Sequence, residues 1–213
     1  TIGWIAAVMA LLSPLGRLSD ILFSAHMAQH EILMLISAPL MVIGKPFVVM
    51  MWALPASWRS AIGYEIRRPA LQAGWSMLTG PLVVLFLHAI VLWAWHAPAM
   101  FEAALRNETI HVLQHLSFFI TAALLWWSLI HGRYGRVGYG VGVLYVFATA
   151  MHTQILGALL AFGPRIWYPT HAARTGVTAL EDQQLAAVVM RVPFGLIFVI
   201  IALALFAAWR GEF

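Results

Sequence analysis

Two histidine pairs in the chain share one spacing, His26-x-x-x-His30 and His111-x-x-x-His115. Residues four apart on a helix sit one above the other on the same face. Two imidazoles so placed can bind one metal ion or line one polar cavity. If the two helices pack together, four imidazoles converge, with His96 beside them. Gln29 and Gln114 each directly precede the second histidine of a pair. Each is placed to orient a neighbour by hydrogen bonding, as the groups around metal ligands do. The chain carries nine histidines and ten methionines but no cysteine. Any metal site must therefore be built from imidazole, thioether and oxygen. Imidazole suits zinc, copper, iron and nickel, whereas thioether selects copper(I). Met27, Met34, Met100, Met151 and Met190 fall in the same half or the middle of the expected membrane, so copper is the metal this donor set favours. Noncovalent haem b held by two histidines is the alternative cofactor.

Each residue taken singly also has a plainer reading. A lone intramembrane histidine, such as His88 or His152, often donates an interhelical hydrogen bond. Methionine is a common apolar filler. Glu31 and Arg191 are costly in lipid and should face the bundle interior. They lie at similar expected depth, so they are placed to pair, or Glu31 neutralises a cation or carries a proton. Trp93, Trp95, Trp126, Trp127, Trp167 and Trp209 fall near span ends and read as interfacial anchors. It is the two spaced pairs together that argue for a polar functional site.

The elements that position these residues follow from composition. The chain has 213 residues, 62% of them apolar and only 9% charged. Its mean hydropathy is +0.87. A soluble domain carries roughly 25% charged residues, and a disordered one has low hydrophobicity. The remaining class is an all-α polytopic transmembrane helix bundle, a single domain of about six spans. The spans are expected at 2–14, 22–43, 71–96, 110–130, 137–162 and 183–209. The first is too short to cross alone. Since the chain opens at Thr1, the start of that helix is expected to lie upstream. No charged segment precedes it, so a signal peptide is not expected. The stretch Phe47 to Leu54, bounded by Pro46 and Pro55, reads as re-entrant or interfacial.

Charge fixes the expected orientation. Lys45, Arg59, Arg67, Arg68, Arg133, Arg136 and Arg210 fall on one side, against Glu65 and Glu212. Arg17, Arg106, Arg165 and Arg174 fall on the other, against Asp20, Glu102, Glu108, Glu181 and Asp182. The first side is then cytoplasmic, with both termini inside. The pI of about 10.0 becomes a topology signal, and no nucleic-acid partner is needed to explain it. Of the nine histidines, only His131 falls at the cytoplasmic face, with His171 in an outer loop. There is no nucleophile elbow, phosphate loop or paired catalytic carboxylate, so no enzyme is expected. A proton or metal transporter using Glu31, Arg191 and the mid-membrane histidines is a further alternative, although no internal repeat of the transporter kind is evident.

Four stretches carry a family resemblance: FSAHMAQHEILMLISAPLMVIGKP at 23–46, WAWHAPAMFEAALRNETIHVLQHLSFF at 93–119, ILGALLAFGPRIWYP at 155–169 and LEDQQLAAVVMRVP at 180–193. Together they extend over nearly the whole chain, and it resembles the CtaG-type assembly factors of caa-type cytochrome c oxidase. The resemblance implies a multispan protein of the bacterial plasma membrane that helps to make active oxidase. Its partners would be oxidase subunits or other assembly factors, and its role is usually discussed with copper supply. It also implies a site at His26, His30, His96, His111 and His115. The turn at Asp182, Gln183 and Gln184 would stand at the outer mouth of the last span, with Met190 about two turns inward. The family pattern usually has tryptophan after that methionine, where this chain has Arg191. An additional span is often described for the family.

Overall fold

The computed structural model describes residues 1–131, 139–169 and 176–211. Among these, regular structure is helical and no strand forms. In chain order the helices are α1 (Ile2–Leu12), α2 (Pro14–Ser19), α3 (Phe23–Glu31), a π-helical segment (Ile32–Ser37), α4 (Ala38–Gly44), α5 (Pro46–Trp52), α6 (Ala56–Ile66), α7 (Pro69–Leu78), α8 (Pro81–His96), α9 (Pro98–Arg106), α10 (Glu108–His131), α11 (Tyr139–Phe162) and α12 (Ala179–Gly211).

Four helices are long and apolar enough to cross a bilayer: Phe23–Gly44, Glu108–His131, Tyr139–Phe162 and Ala179–Arg210. The expected third span is broken. Its halves, α7 and α8, meet at 57° and make a fifth span if taken together. The cause is local: Pro81 has no N–H to donate and disfavours helical geometry at Gly80, which is extended at φ −63°, ψ 136°. The expected first span is the 11-residue α1, only about 16 Å long at 1.5 Å per residue. It leans on the π segment and α4. The Ser37 hydroxyl donates to the Gly3 carbonyl at 2.8 Å. A Cβ at Gly3 would lie 2.8 Å from Met41 Cγ, so only glycine allows this approach. About six spans therefore becomes four or five plus this short helix. The stretch from Phe47 does not re-enter the bundle, since no residue of α5 is buried.

The π segment replaces one stretch of the first long span. There the Ala38 N–H donates to the Leu33 carbonyl, five residues back. Pro39 lacks an N–H, which leaves the regular ladder incomplete just above it. Trp126 donates its indole N–H to the Met34 carbonyl at 2.8 Å. Trp126 is buried at 8% exposure, so it is a bond inside the bundle and no interfacial anchor. The core runs between α3, α8, α10, α11 and the first half of α12, where Phe118, Leu125, Leu156, Leu160 and Phe198 are buried. The most apolar stretch of α12 has mean hydropathy 2.6 yet is only 17% buried. So apolar an outer surface suits lipid and is foreign to a water-soluble protein.

Candidate functional site

The first turn of α3 is seated by a residue distant in sequence. Leu22 at its N-cap offers no side-chain acceptor. The Asp182 carboxylate at the head of α12 does so in its place. It accepts from the Phe23 N–H at 2.6 Å, the Ser24 N–H at 3.1 Å and the Ser24 hydroxyl at 2.5 Å. A carboxylate at a helix N-terminus satisfies otherwise unpaired N–H groups and complements the helix dipole. Gln183, next to it, binds the loop after α11. Its Oε1 accepts from the Trp167 N–H at 2.7 Å, and its Nε2 donates to the carbonyls of Leu160 and Arg165 at 3.2 Å each. Gln29 donates to the Ala10 carbonyl at 2.9 Å and so holds α3 to α1. These three polar residues, read from sequence as accessory to a site, fix helices in place.

With α3 so held, the two histidine pairs meet. Within α3, the His26 and His30 rings lie 4.4 Å apart between centroids. Within α10, His111 and His115 are separated by the same 4.4 Å. Across the helices, His26 is 5.2 Å from His111 and 5.7 Å from His115, and His30 is 4.8 Å from His115. His26 and His30 are buried, and His111 and His115 half-buried. His96, also buried, is linked to the cluster through Phe118, whose ring lies 4.7 Å from that of His30 and 6.0 Å from that of His96. It is adjacent to the four-ring cluster, not inside it.

Two of these rings have a defined proton. His115 Nδ1 lies 3.1 Å from the His111 carbonyl, and His96 Nδ1 2.7 Å from the Leu92 carbonyl. A carbonyl only accepts, so Nδ1 carries the hydrogen in both rings. That leaves Nε2 of each neutral ring with its lone pair, and both are buried without a hydrogen-bond partner. Both nitrogens of His30 and both amide atoms of Gln114 are likewise buried without one. Histidines that ligate metals commonly donate their other ring N–H to a carbonyl in this manner. Even so, among the described residues no three His, Asp or Glu side chains surround a common point suited to a metal ion. The rings meet mainly edge to face, and binding an ion between them requires their rotation.

A roof of aromatic rings closes one end of the cluster. Phe101 contacts His26 at 5.2 Å, Phe23 at 5.2 Å and Tyr168 at 4.2 Å. The Tyr168 hydroxyl donates to the His96 carbonyl at 2.7 Å. Burial pushes that hydroxyl above its ordinary range, so it stays a donor. The sequence reading missed this roof. The placing of Phe101 and Ala104 on one face of α9 was the available signal. To the side, a groove of about 1020 Å³ between α1, α2 and α10 reaches His111 and His115 past Arg17, Asp20 and Glu108.

The remaining expectations divide. Met27, Glu31 and Met190 line a small cavity that also touches His30 and His96. Met100 and Met151 are 42% and 45% exposed and stand outside it. Glu31 and Arg191 do not pair. The Arg191 Nε donates to Gln154 Oε1 at 3.0 Å, while Gln154 Nε2 returns a bond to the Arg191 carbonyl at 2.8 Å. The Arg191 stem fills the space over Gly157, where a Cβ would collide with its Cγ. His152 lies 5.9 Å from His88, a contact between α11 and α8. His131 stacks on Trp127, and His171 lies outside the described residues.

The sequence model of the cytochrome c oxidase caa3 assembly factors matches residues 1–212. Neither a curated protein nor a solved structure matches the chain. A match over all but the final residue shows that the chain belongs to the cytochrome c oxidase caa3 assembly factor family.

Proposed function

We propose that this assembly factor holds copper at the cluster of His26, His30, His111 and His115, with His96 adjacent, and hands it on during oxidase maturation. The observation that carries the reading is the convergence of four imidazoles from two helices, with ring centroids 4.4 to 5.7 Å apart. Nitrogens on rings so close reach a shared ion by side-chain rotation alone, given metal–nitrogen bonds of about 2 Å. The buried, unpartnered Nε2 lone pairs of His96 and His115 support neutral-imidazole ligation. Copper is favoured over haem because rings only 4.8 to 5.7 Å apart across the two helices leave no slot for a macrocycle between them.

The surroundings fit transfer better than permanent storage. The aromatic roof shields one end, and the lateral groove gives a partner a route to His111 and His115. In this reading the protein is a multi-pass component of the bacterial plasma membrane with its basic loops cytoplasmic. An oxidase subunit or a second assembly factor receives the metal.

Metal analysis of the purified protein tests this, comparing wild type with His30→Ala and His115→Ala. Stoichiometric copper in the wild type, lost in both variants, is expected. Metal-free wild type from copper-replete cells would remove the metal-binding reading.

A further inference from the structure

One turn inward from His26, a small cavity of about 10 Å³ lies between α3, the π segment, α8, α11 and α12. Three thioethers line it, from Met27, Met34 and Met190, with the imidazoles of His30, His88 and His96 and the carboxylate of Glu31. We propose that this chamber is a second copper site, which takes one cuprous ion passed inward from the four-histidine cluster. The inference rests on the copper reading of that cluster, and extends it to a separate site with different donors.

Four observations support it. The volume is that of a single water-sized particle. The donor set is soft: thioether and imidazole together select copper(I) over zinc or magnesium. Polar atoms point at no protein partner, namely His88 Nε2, His96 Nε2, both nitrogens of His30 and Glu31 Oε2, all buried. Leaving such groups unmatched in a dry interior is costly. Finally, the charge balances. Among the described residues Glu31 makes no ion pair, and Arg191 is committed to Gln154. One carboxylate neutralises a monovalent cation, while a divalent ion would leave a net charge in low dielectric.

His88 is prepared for the role. Its Nδ1 lies 3.3 Å from Thr121 Oγ1. That hydroxyl already donates to the Ser117 carbonyl at 2.9 Å, so the imidazole is the donor and Nε2 keeps its lone pair. His30 joins the two sites, since it touches His26 and His115 and also borders the chamber.

The test uses the whole chain in detergent, loaded anaerobically with copper(I), with metal-to-protein ratio and X-ray absorption as readouts. Wild type is expected to hold two ions per chain, with sulfur among the nearest scatterers. Met34→Leu with Met190→Leu, close in volume, is expected to hold one ion with nitrogen neighbours only. His111→Ala with His115→Ala is expected to hold one ion and keep the sulfur signal. Wild type without a sulfur neighbour overturns the chamber whatever the variants do, as does an unchanged ratio in the methionine variant. One nitrogen-bound ion lost in the histidine variant leaves the outer cluster standing and removes the chamber. One sulfur-bound ion retained in that variant does the reverse, and no bound copper removes both.

Discussion

Asp182 offers the sharpest test of how the site is held. Asp182→Asn keeps the side-chain shape but turns one acceptor oxygen into an N–H donor. In the native protein both oxygens are used, Oδ2 by the Phe23 N–H and Oδ1 by the Ser24 N–H and hydroxyl. The amide leaves at least one of these donors facing another donor in a buried setting. A hydrogen bond to a charged group contributes about 1.5–3 kcal/mol, and a lost N-cap costs about 1 kcal/mol. The expected loss is about 3 kcal/mol, or roughly 150-fold in the equilibrium that seats α3 on α12. Hydrogen exchange at the Phe23 and Ser24 amides reads this directly and should accelerate by a similar factor. Thermal unfolding followed by circular dichroism should fall by about 6–12 °C for a chain of this size. If the proposed copper site is occupied, its affinity should fall too, because His26 lies one turn from the lost cap. If Asp182→Asn exchanges at the native rate and melts within about 1 °C of wild type, the cap does not seat α3 and the reasoning fails.

Three further outcomes are expected. Gly157→Ala drives a methyl group into the Arg191 stem and should destabilise by about 1–3 kcal/mol, as overpacking does; Gly157→Ala combined with Arg191→Ala should recover most of this in the same melt. Trp126→Phe strands the Met34 carbonyl and should cost about 1–3 kcal/mol, seen as faster exchange along 32–38. Tyr168→Phe removes the bond to the His96 carbonyl. The phenol's folded pKa is raised, so its contribution is complete below about pH 10, the unfolded value, and is lost as pH climbs above it. Wild type should therefore lose stability more steeply than Tyr168→Phe in melts above that pH, and parallel curves would refute the buried donor.

Much of the site was legible because helical periodicity is local. The i, i+4 spacing of His26 with His30 and of His111 with His115 needs only a helix to put each pair on one face. That α3 and α10 touch was conditional in the sequence and is met in the structure by ring contacts. Less legible were features that depend on distant contacts. Glu31 and Arg191 have similar expected depths, but the Arg191 guanidinium turns to Gln154, and depth is all that hydropathy supplies. Asp182 read as a residue at the mouth of a span because nothing in its neighbourhood shows that it caps another helix. The break between α7 and α8 was written in Gly80 and Pro81, but a mostly apolar stretch without a charge from Leu71 to His96 outweighed it. The π segment left no hydropathy trace, because it changes hydrogen-bond spacing without changing composition.

That segment has a mechanical consequence. The span from Phe23 to Gly44 is clamped on both sides of the segment, to α12 through Asp182 and to α1 through Gln29 before it and to α1 through Ser37 at its end, and Trp126 holds the segment itself to α10. Between the clamps the ladder runs to the fifth residue instead of the fourth, so the stretch absorbs one extra residue without turning the helix below it. Six residues thus act as a torsional joint immediately after His30 and Glu31. A twist of the first long span can be taken up there, while the clamps on either side stay fastened.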